Sequence, residues 1–131
     1  MASIHKEFEV AAAADDVWDA VRDFAAVDTR LAPGFVTRSV MDGDSRLVTF
    51  SNGASAREIL VDCDDTKRRL VYAVISERIR QHSASVQIVE EGERRSRFVW
   101  IVDVLPNEIA PYISGQMDLS IAAMKKKLEG S

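Results

Sequence analysis

The stretch NEIAPYISGQMDLSIAAMKKKL, Asn107–Leu128, decides the fold. Ile109, Ile113, Met117, Ile121, Met124 and Leu128 recur at steps of three or four, which places them on one face of a helix. Asn107, just after Pro106, reads as the N-cap, with Glu108 in the first turn. Lys125, Lys126 and Lys127 fall in the last turn, where cations suit the helix dipole. A stripe this long must bury itself against something. At roughly 1.5–3 kcal/mol per fully buried large side chain, it is a main contributor to the core. Met117, Ile121 and Met124 are expected to face a sheet, some of them lining a cavity of about 300 Å³ or more, the low end for ligand sites. Ala110, Gly115, Ser120 and Ala122 stand among the bulky residues. They either leave space beneath the helix or allow close packing, and periodicity alone does not choose.

What precedes the helix reads mostly as strands. Ser3–Val10 alternates Ile4, Lys6, Phe8 and Val10 against His5, Glu7 and Glu9, the pattern of a half-buried strand. Asp15 and Asp16 then open a helix over residues 14–25, with Val17, Ala20, Val21 and Phe24 at helical spacing, and residues 26–32 read as a short second helix ended by Pro33-Gly34. Strands follow at Phe35–Met41, Arg46–Phe50, Ala54–Asp62, Leu70–Ile75, His82–Val89 and Arg97–Leu105, joined by short polar turns. Sequential strands on short turns form an antiparallel meander, and a sheet with its helices set apart is the α+β class. The expected architecture is a curved antiparallel sheet of about seven strands around the C-terminal helix, in one domain over residues 1–131.

The Asn52-Gly53 hairpin carries the sharpest question. A two-residue loop, which Asn-Gly favours, puts Arg46 opposite Ile59. A three-residue loop with Gly53 in the left-handed region puts Arg46 opposite Glu58. The longer loop is expected, because it gathers Val48, Phe50, Ala54, Ala56 and Leu60 on one apolar face and turns Arg57 to water.

Composition excludes several classes. Apolar residues make up 47% and charged residues 29%, a balance that argues against disorder. The net charge of −4 disfavours a nucleic-acid or anionic-membrane surface. A lone cysteine, Cys63, permits neither an intramolecular disulfide nor a Cys-rich metal site, and His5 and His82 lack metal-ligand spacing. There is no glycine-rich phosphate loop and no nucleophile elbow, and no metal or cofactor is expected. No run approaches the length of a membrane helix, and the N-terminus lacks the pattern of a secretory segment, so a cytoplasmic location is expected.

Residues along almost the whole chain resemble the START-like, helix-grip superfamily (SRPBCC), which includes pollen-allergen proteins, the polyketide cyclase/dehydrase and lipid-transport-like family, and abscisic acid receptors. Val17-Trp18 looks like its first-helix signature, and Phe24 and Pro33-Gly34 stand where it has a short second helix and loop. Arg46, Asn52-Gly53, Glu58, Asp64-Asp65, Arg69 and Tyr72 resemble a characteristic run, and Trp100 its late-strand tryptophan. Leu31 departs from the tryptophan that related bacterial proteins often carry there. The resemblance implies a small hydrophobic ligand held between sheet and C-terminal helix, a lipid, polyketide or aromatic molecule. It also implies that loops Ser76–Gln81 and Ser51–Ala54 form the cavity mouth, as gate and latch do in the hormone receptors.

Strand parity points Arg46 the same way as Val48 and Phe50, His82 with Ala84, Val86 and Ile88, and Trp100 with Phe98, Val102 and Val104. The direction of Tyr72 comes from the resemblance only. Ligand contacts are expected from Arg46, Phe50, Glu58, Tyr72, His82, Trp100, Met117, Ile121 and Met124. An Arg46–Glu58 pair would either orient a ligand's polar end or serve as a structural salt bridge. His82 is either a general base or a solvated edge residue. Three functions follow: a binding or carrier module, a cyclase- or dehydratase-type enzyme using Arg46, Glu58, Tyr72 or His82, and a protein-interaction module. The expected partner is a small hydrophobic ligand, with no nucleic acid and no membrane insertion, and a homodimer is left open.

Overall fold

A computed structural model describes residues 2–77 and 79–130. Seven strands, β1 (Ala2–Val10), β2 (Val36–Asp42), β3 (Ser45–Phe50), β4 (Ser55–Asp64), β5 (Arg69–Ile75), β6 (Gln81–Gly92) and β7 (Arg95–Leu105), form one antiparallel sheet. Their order is β1-β7-β6-β5-β4-β3-β2, so the six later strands run as the expected meander and β1 closes the far edge against β7. Helix α1 (Ala14–Arg22) and two single turns, Phe24–Ala26 and Val27–Leu31, bridge β1 to β2, and α2 (Ala110–Gly130) ends the chain. The curved sheet wraps α2.

Each element follows from its pattern. Along β7, Ser96, Phe98, Trp100, Val102 and Val104 are buried while the residues between them are not, the period-two signature of a sheet with one wet face. In α1, Val17, Trp18 and Val21 turn inward at helical spacing. Trp18 Nε1 donates to Asp65 Oδ1 at 2.9 Å, and Arg22 Nε reaches the same oxygen at 2.9 Å, so α1 is pinned to the β4–β5 turn. These two donors, Trp18 first, hold the Asp65 carboxyl below its usual range. The first helix stops at Arg22 rather than at residue 25, because Asp23 leaves the helical region with ψ of 76° and a 3₁₀ turn follows.

Along its length α2 is tied to β1. Lys6 Nζ meets Asp118 at 3.0 Å, Lys125 Nζ donates to the Glu9 carbonyl at 2.6 Å, and the Ala11 N–H donates to Glu129 at 2.9 Å. Met117, Ser120 and Met124 are buried, with Ile109, Ile113, Ile121 and Leu128 packed against the core at its margin. Two details differ from the sequence reading. Asn107 does not cap the helix with its side chain; it begins a 3₁₀ turn, Asn107–Ile109, that leads into α2. Gly115 and Ala122 face solvent, so they neither open space nor allow close packing beneath the helix; Ser120 alone of the four is buried.

The β3–β4 hairpin takes the longer loop. Phe50 N–H donates to the Ala54 carbonyl at 2.8 Å, Arg46 pairs with Glu58 and Val48 with Ala56. Gly53 has φ of +88°, the left-handed conformation that a bulged three-residue loop requires and that glycine adopts without steric cost. Asn52 Oδ1 accepts the Ala54 N–H at 2.9 Å, so the asparagine supports this loop as well as it would the shorter one.

Candidate ligand cavity

The register of β3 and β4 brings two opposite charges together inside the sheet. Arg46 and Glu58, 6% and 8% exposed, are bonded through Arg46 Nε at 2.8 Å and Nη2 at 2.7 Å, both to Glu58 Oε1. Arg46 Nη1 donates to the Phe24 carbonyl at 2.8 Å. Its guanidinium carbon lies 3.8 Å from the centre of the Phe24 ring and 5.6 Å from that of Tyr72, so the cation is held between two π faces. Arg46 is thus locked by the turn that follows α1, a contact no sequence pattern announced.

Beside the pair, a cavity of about 70 Å³ lies between the sheet, the Val27–Leu31 turn and α2. Its walls are mainly apolar, with Val48, Phe50, Leu70, Val86, Phe98 and Met124 among them. Its polar lining comes from Arg46, Glu58, Tyr72 and Trp100, which lie together on the sheet, and from Ser120 on α2. Burial pushes the Tyr72 hydroxyl far above the usual phenol range, and the Glu58 charge adds to this, against a smaller opposing pull from Arg46 and Trp100. Tyr72 is therefore a neutral phenol at physiological pH, able to donate a hydrogen bond but not to act as a phenolate base. The buried Trp100 indole N–H lies beside that hydroxyl and accounts for part of this opposing pull.

Of the nine expected ligand contacts, Arg46, Phe50, Glu58, Tyr72, Trp100 and Met124 line the cavity. Met117, Ile121 and His82 do not: Met117 is 2% exposed within the core, Ile121 packs at the core margin, and His82 lies near the start of β6 opposite Val104. Parity gave His82 the inward face correctly but could not say how far along the strand the cavity ends. The volume is the larger correction. It falls well short of about 300 Å³, with the bulky side chains of Leu31, Phe35, Phe50 and Met124 among its walls. Sequence reasoning also missed the Phe24 carbonyl and the place of Ser120 in the cavity lining, for which its position within the Met117–Met124 stripe was the available signal.

A roomier recess of about 220 Å³ lies outside, between α1 and the end of α2, and opens to solvent. Its Arg30 is already bonded to Asp19 and Asp23, so it offers an ordinary charged surface rather than a site.

The loops Ser51–Ala54 and 76–80 lie at the same end of the sheet, as antiparallel neighbours two strands apart must; Arg78 lies outside the described residues. The first loop is exposed, adjoins Phe50 of the cavity wall and is tied to α2 by Asn52 Nδ2 donating to Tyr112 Oη at 3.1 Å. Neither loop lines the cavity itself.

His82 supplies a pH prediction. Burial lowers its pKa, with the Glu58 charge and a contact to its own backbone offsetting part of the effect. The unfolded chain binds this proton more readily than the folded one. The stabilising contribution is therefore complete above the unfolded value of about 6.5 and is lost as pH falls toward the depressed folded value. Wild-type denaturation midpoints should fall between pH 7.5 and 5.5, and His82→Leu should flatten that fall. An unchanged slope in the variant would assign it to other groups. Asp65 and Glu129, whose carboxyls are held low, act only below about pH 4.5.

Among the described residues no helix is long and apolar enough to cross a membrane. Comparison with solved structures gives full-length matches. A Bacillus thuringiensis protein superposes with a TM-score of 0.85 at 17% identity, covering 97% of this chain and 98% of its own. A Thermobifida fusca protein solved by NMR reaches 0.79 at 28%, covering 98% and 91%. Norcoclaurine synthase from Thalictrum flavum, solved as a point mutant with a transition-state analogue, reaches 0.70 at 22%, covering 97% and 93%. No curated protein matches the sequence. The family model described as polyketide cyclase/dehydrase and lipid transport matches residues 1–129, and the chain belongs to that family, with the START-like helix-grip fold of its structural neighbours.

Proposed function

We propose that this chain binds and carries a small, mainly hydrophobic molecule in the cavity beneath α2. The observation that carries the reading is the cavity itself, a mainly apolar chamber with a few buried polar side chains in its lining. Specific small-molecule sites have this composition, with apolar walls for affinity and a few fixed polar groups for orientation.

The chemistry of these polar groups favours binding over turnover. A general acid or base must exchange a proton with its substrate near the working pH. Arg46 and Glu58 are already bonded to each other, the Tyr72 hydroxyl is pushed away from neutrality, and His82 is off the cavity wall. None of the four groups is both free and poised. At about 70 Å³ the chamber is about half the size of an engineered apolar cavity that accepts benzene, roughly 150 Å³. Ligand entry thus requires Met124, Phe50 or the Asn52–Tyr112 tie to move.

Native mass spectrometry of freshly purified protein, with solvent extraction of what co-purifies, tests the reading. A defined apolar small molecule in one-to-one ratio is expected. A protein that emerges empty, and that also fails to take up a panel of apolar small molecules, would overturn it.

A further inference from the structure

We propose that β2 is a self-pairing edge: two copies of this chain join antiparallel along residues 38–42, about a two-fold axis at Val40, and merge their seven-stranded sheets into one. The inference concerns the outer edge of the sheet and is independent of the cavity.

An edge strand carries a row of unpaired N–H and C=O groups, and native proteins cover or blunt it. This sheet has two edges, β1 and β2, and treats them differently. Helix α2 lies along β1: Lys6 is paired with Asp118, Lys125 takes the Glu9 carbonyl, and Glu129 takes the Ala11 N–H. At β2, residues 32–35 cover Val36, whose N–H donates to the Ala32 carbonyl at 2.9 Å. From Thr37 to Asp42 every residue but Ser39 is exposed. Three of the eight large apolar side chains exposed among the described residues, Val40, Met41 and Leu47, lie on this one hairpin, so the open edge is also an apolar one.

The hairpin sets which groups are free. Gly43, with φ of +65°, opens the two-residue turn Gly43-Asp44, which Asp42 and Ser45 close as a hydrogen-bonded pair. Main-chain bonding alternates from there, so Val40 and Arg38 turn their N–H and C=O to β3 while Ser39 and Met41 turn theirs outward. With Val40 on the axis, Ser39 of each copy exchanges both bonds with Met41 of the other. Arg38 then stands opposite Asp42 of the second copy, on both sides of the axis.

Charge selects this register. Arg38 is exposed and makes no ion pair among the described residues. Asp42 uses Oδ2 toward Arg57 at 3.1 Å, which leaves Oδ1. An axis on Ser39 would instead set Arg38 against Val40, and Asp42 against the buried Val36. Opposite charges across a ladder stabilise the pairing, so the two charges that guard this edge against other strands complement a second copy. Val40 and Leu47, cross-strand neighbours, meet their equivalents on the same face. Such a short edge falls far below the roughly 20–30 residues a side of a standard interface, so the dimer is weak.

Sedimentation velocity of the full chain, over a concentration series reaching millimolar, tests the pairing. The weight-average mass is expected to rise from 14.5 kDa toward twice that value. Arg38→Glu and Asp42→Lys, each alone, set like charges opposite each other and are expected to weaken association by about tenfold or more. Mixed in equal amounts, the two variants bring opposite charges together at both positions, and the dimer is expected to return as a heterodimer. That return also shows that both variants are folded. In amide exchange of the wild type, Ser39 and Met41 are expected to gain protection with concentration, while Val40 is protected throughout. A monomer at every concentration would overturn the proposal and leave the edge to an extended segment of another protein. A dimer that neither variant weakens, or whose protection appears at Tyr112 and Leu119 on α2, would overturn it as well.

Discussion

Replacing Glu58 with alanine is expected to lower the unfolding free energy by about 3–5 kcal/mol, because it leaves the Arg46 cation buried without its counterion. Arg46 would keep the Phe24 carbonyl and the Phe24 ring, which places the expectation toward the lower end of that range. The double replacement Arg46→Met with Glu58→Leu removes both charges and fills their space with apolar atoms of similar reach. It is expected to be close to neutral, or stabilising by about 1–4 kcal/mol. Denaturant unfolding of Arg46→Met, Glu58→Leu and the double variant closes the cycle, with Glu58→Ala measured alongside. If Glu58→Ala alone costs under about 1 kcal/mol, the pair behaves as a solvated surface bridge, and the description of a dry, buried pair fails. The cycle also separates two roles of the pair. A double variant that is stable yet has lost its ligand would show that the charges are kept for recognition rather than for folding.

That pair shows how far the sequence can be read and where reading stops. The Asn-Gly dipeptide, taken locally, argues for the shorter loop and for Arg46 opposite Ile59. The alternation of Val48, Phe50, Ala56 and Leu60 argues for the longer loop, and burial of a strand face outweighs the preference of a turn. Sheet order was legible for a similar reason, because short turns leave consecutive strands few alternatives to pairing with each other. The Phe24 carbonyl was not legible, since a backbone group carries no identity in the sequence and its position depends on where α1 stops. Cavity volume was illegible too. Periodicity assigns a side chain to a face but not the depth to which Met124 reaches or the path of the Val27–Leu31 turn above it. The misplaced Gly115 and Ala122 were recoverable: at 3.6 residues per turn, both lie well off a stripe centred on Met117 and Met124.

Met124→Ala is expected to destabilise the protein by about 2–5 kcal/mol and at the same time to convert the chamber into a site for a free aromatic ring. Met124 is 4% exposed and forms part of the cavity wall on α2. Truncation removes three heavy atoms that face the 70 Å³ space, and the freed volume adds directly to it unless neighbours collapse. Collapse is resisted on the other walls, because Phe98 and Val48 belong to paired strands and are themselves almost fully buried. The enlarged space should approach the roughly 150 Å³ at which an apolar cavity takes benzene. Binding then offsets part of the loss, since a ligand held by the folded state alone raises stability by RT ln(1 + [L]/Kd). The measurement is thermal unfolding of wild type and Met124→Ala with and without saturating benzene. The variant is expected to melt lower alone and to gain several degrees from benzene, while the wild type gains little. Equal gains in both proteins would mean that the wild-type chamber already opens to a ring. No gain in the variant would mean that α2 settles into the gap, and that the chamber's size is set by the helix position rather than by the methionine.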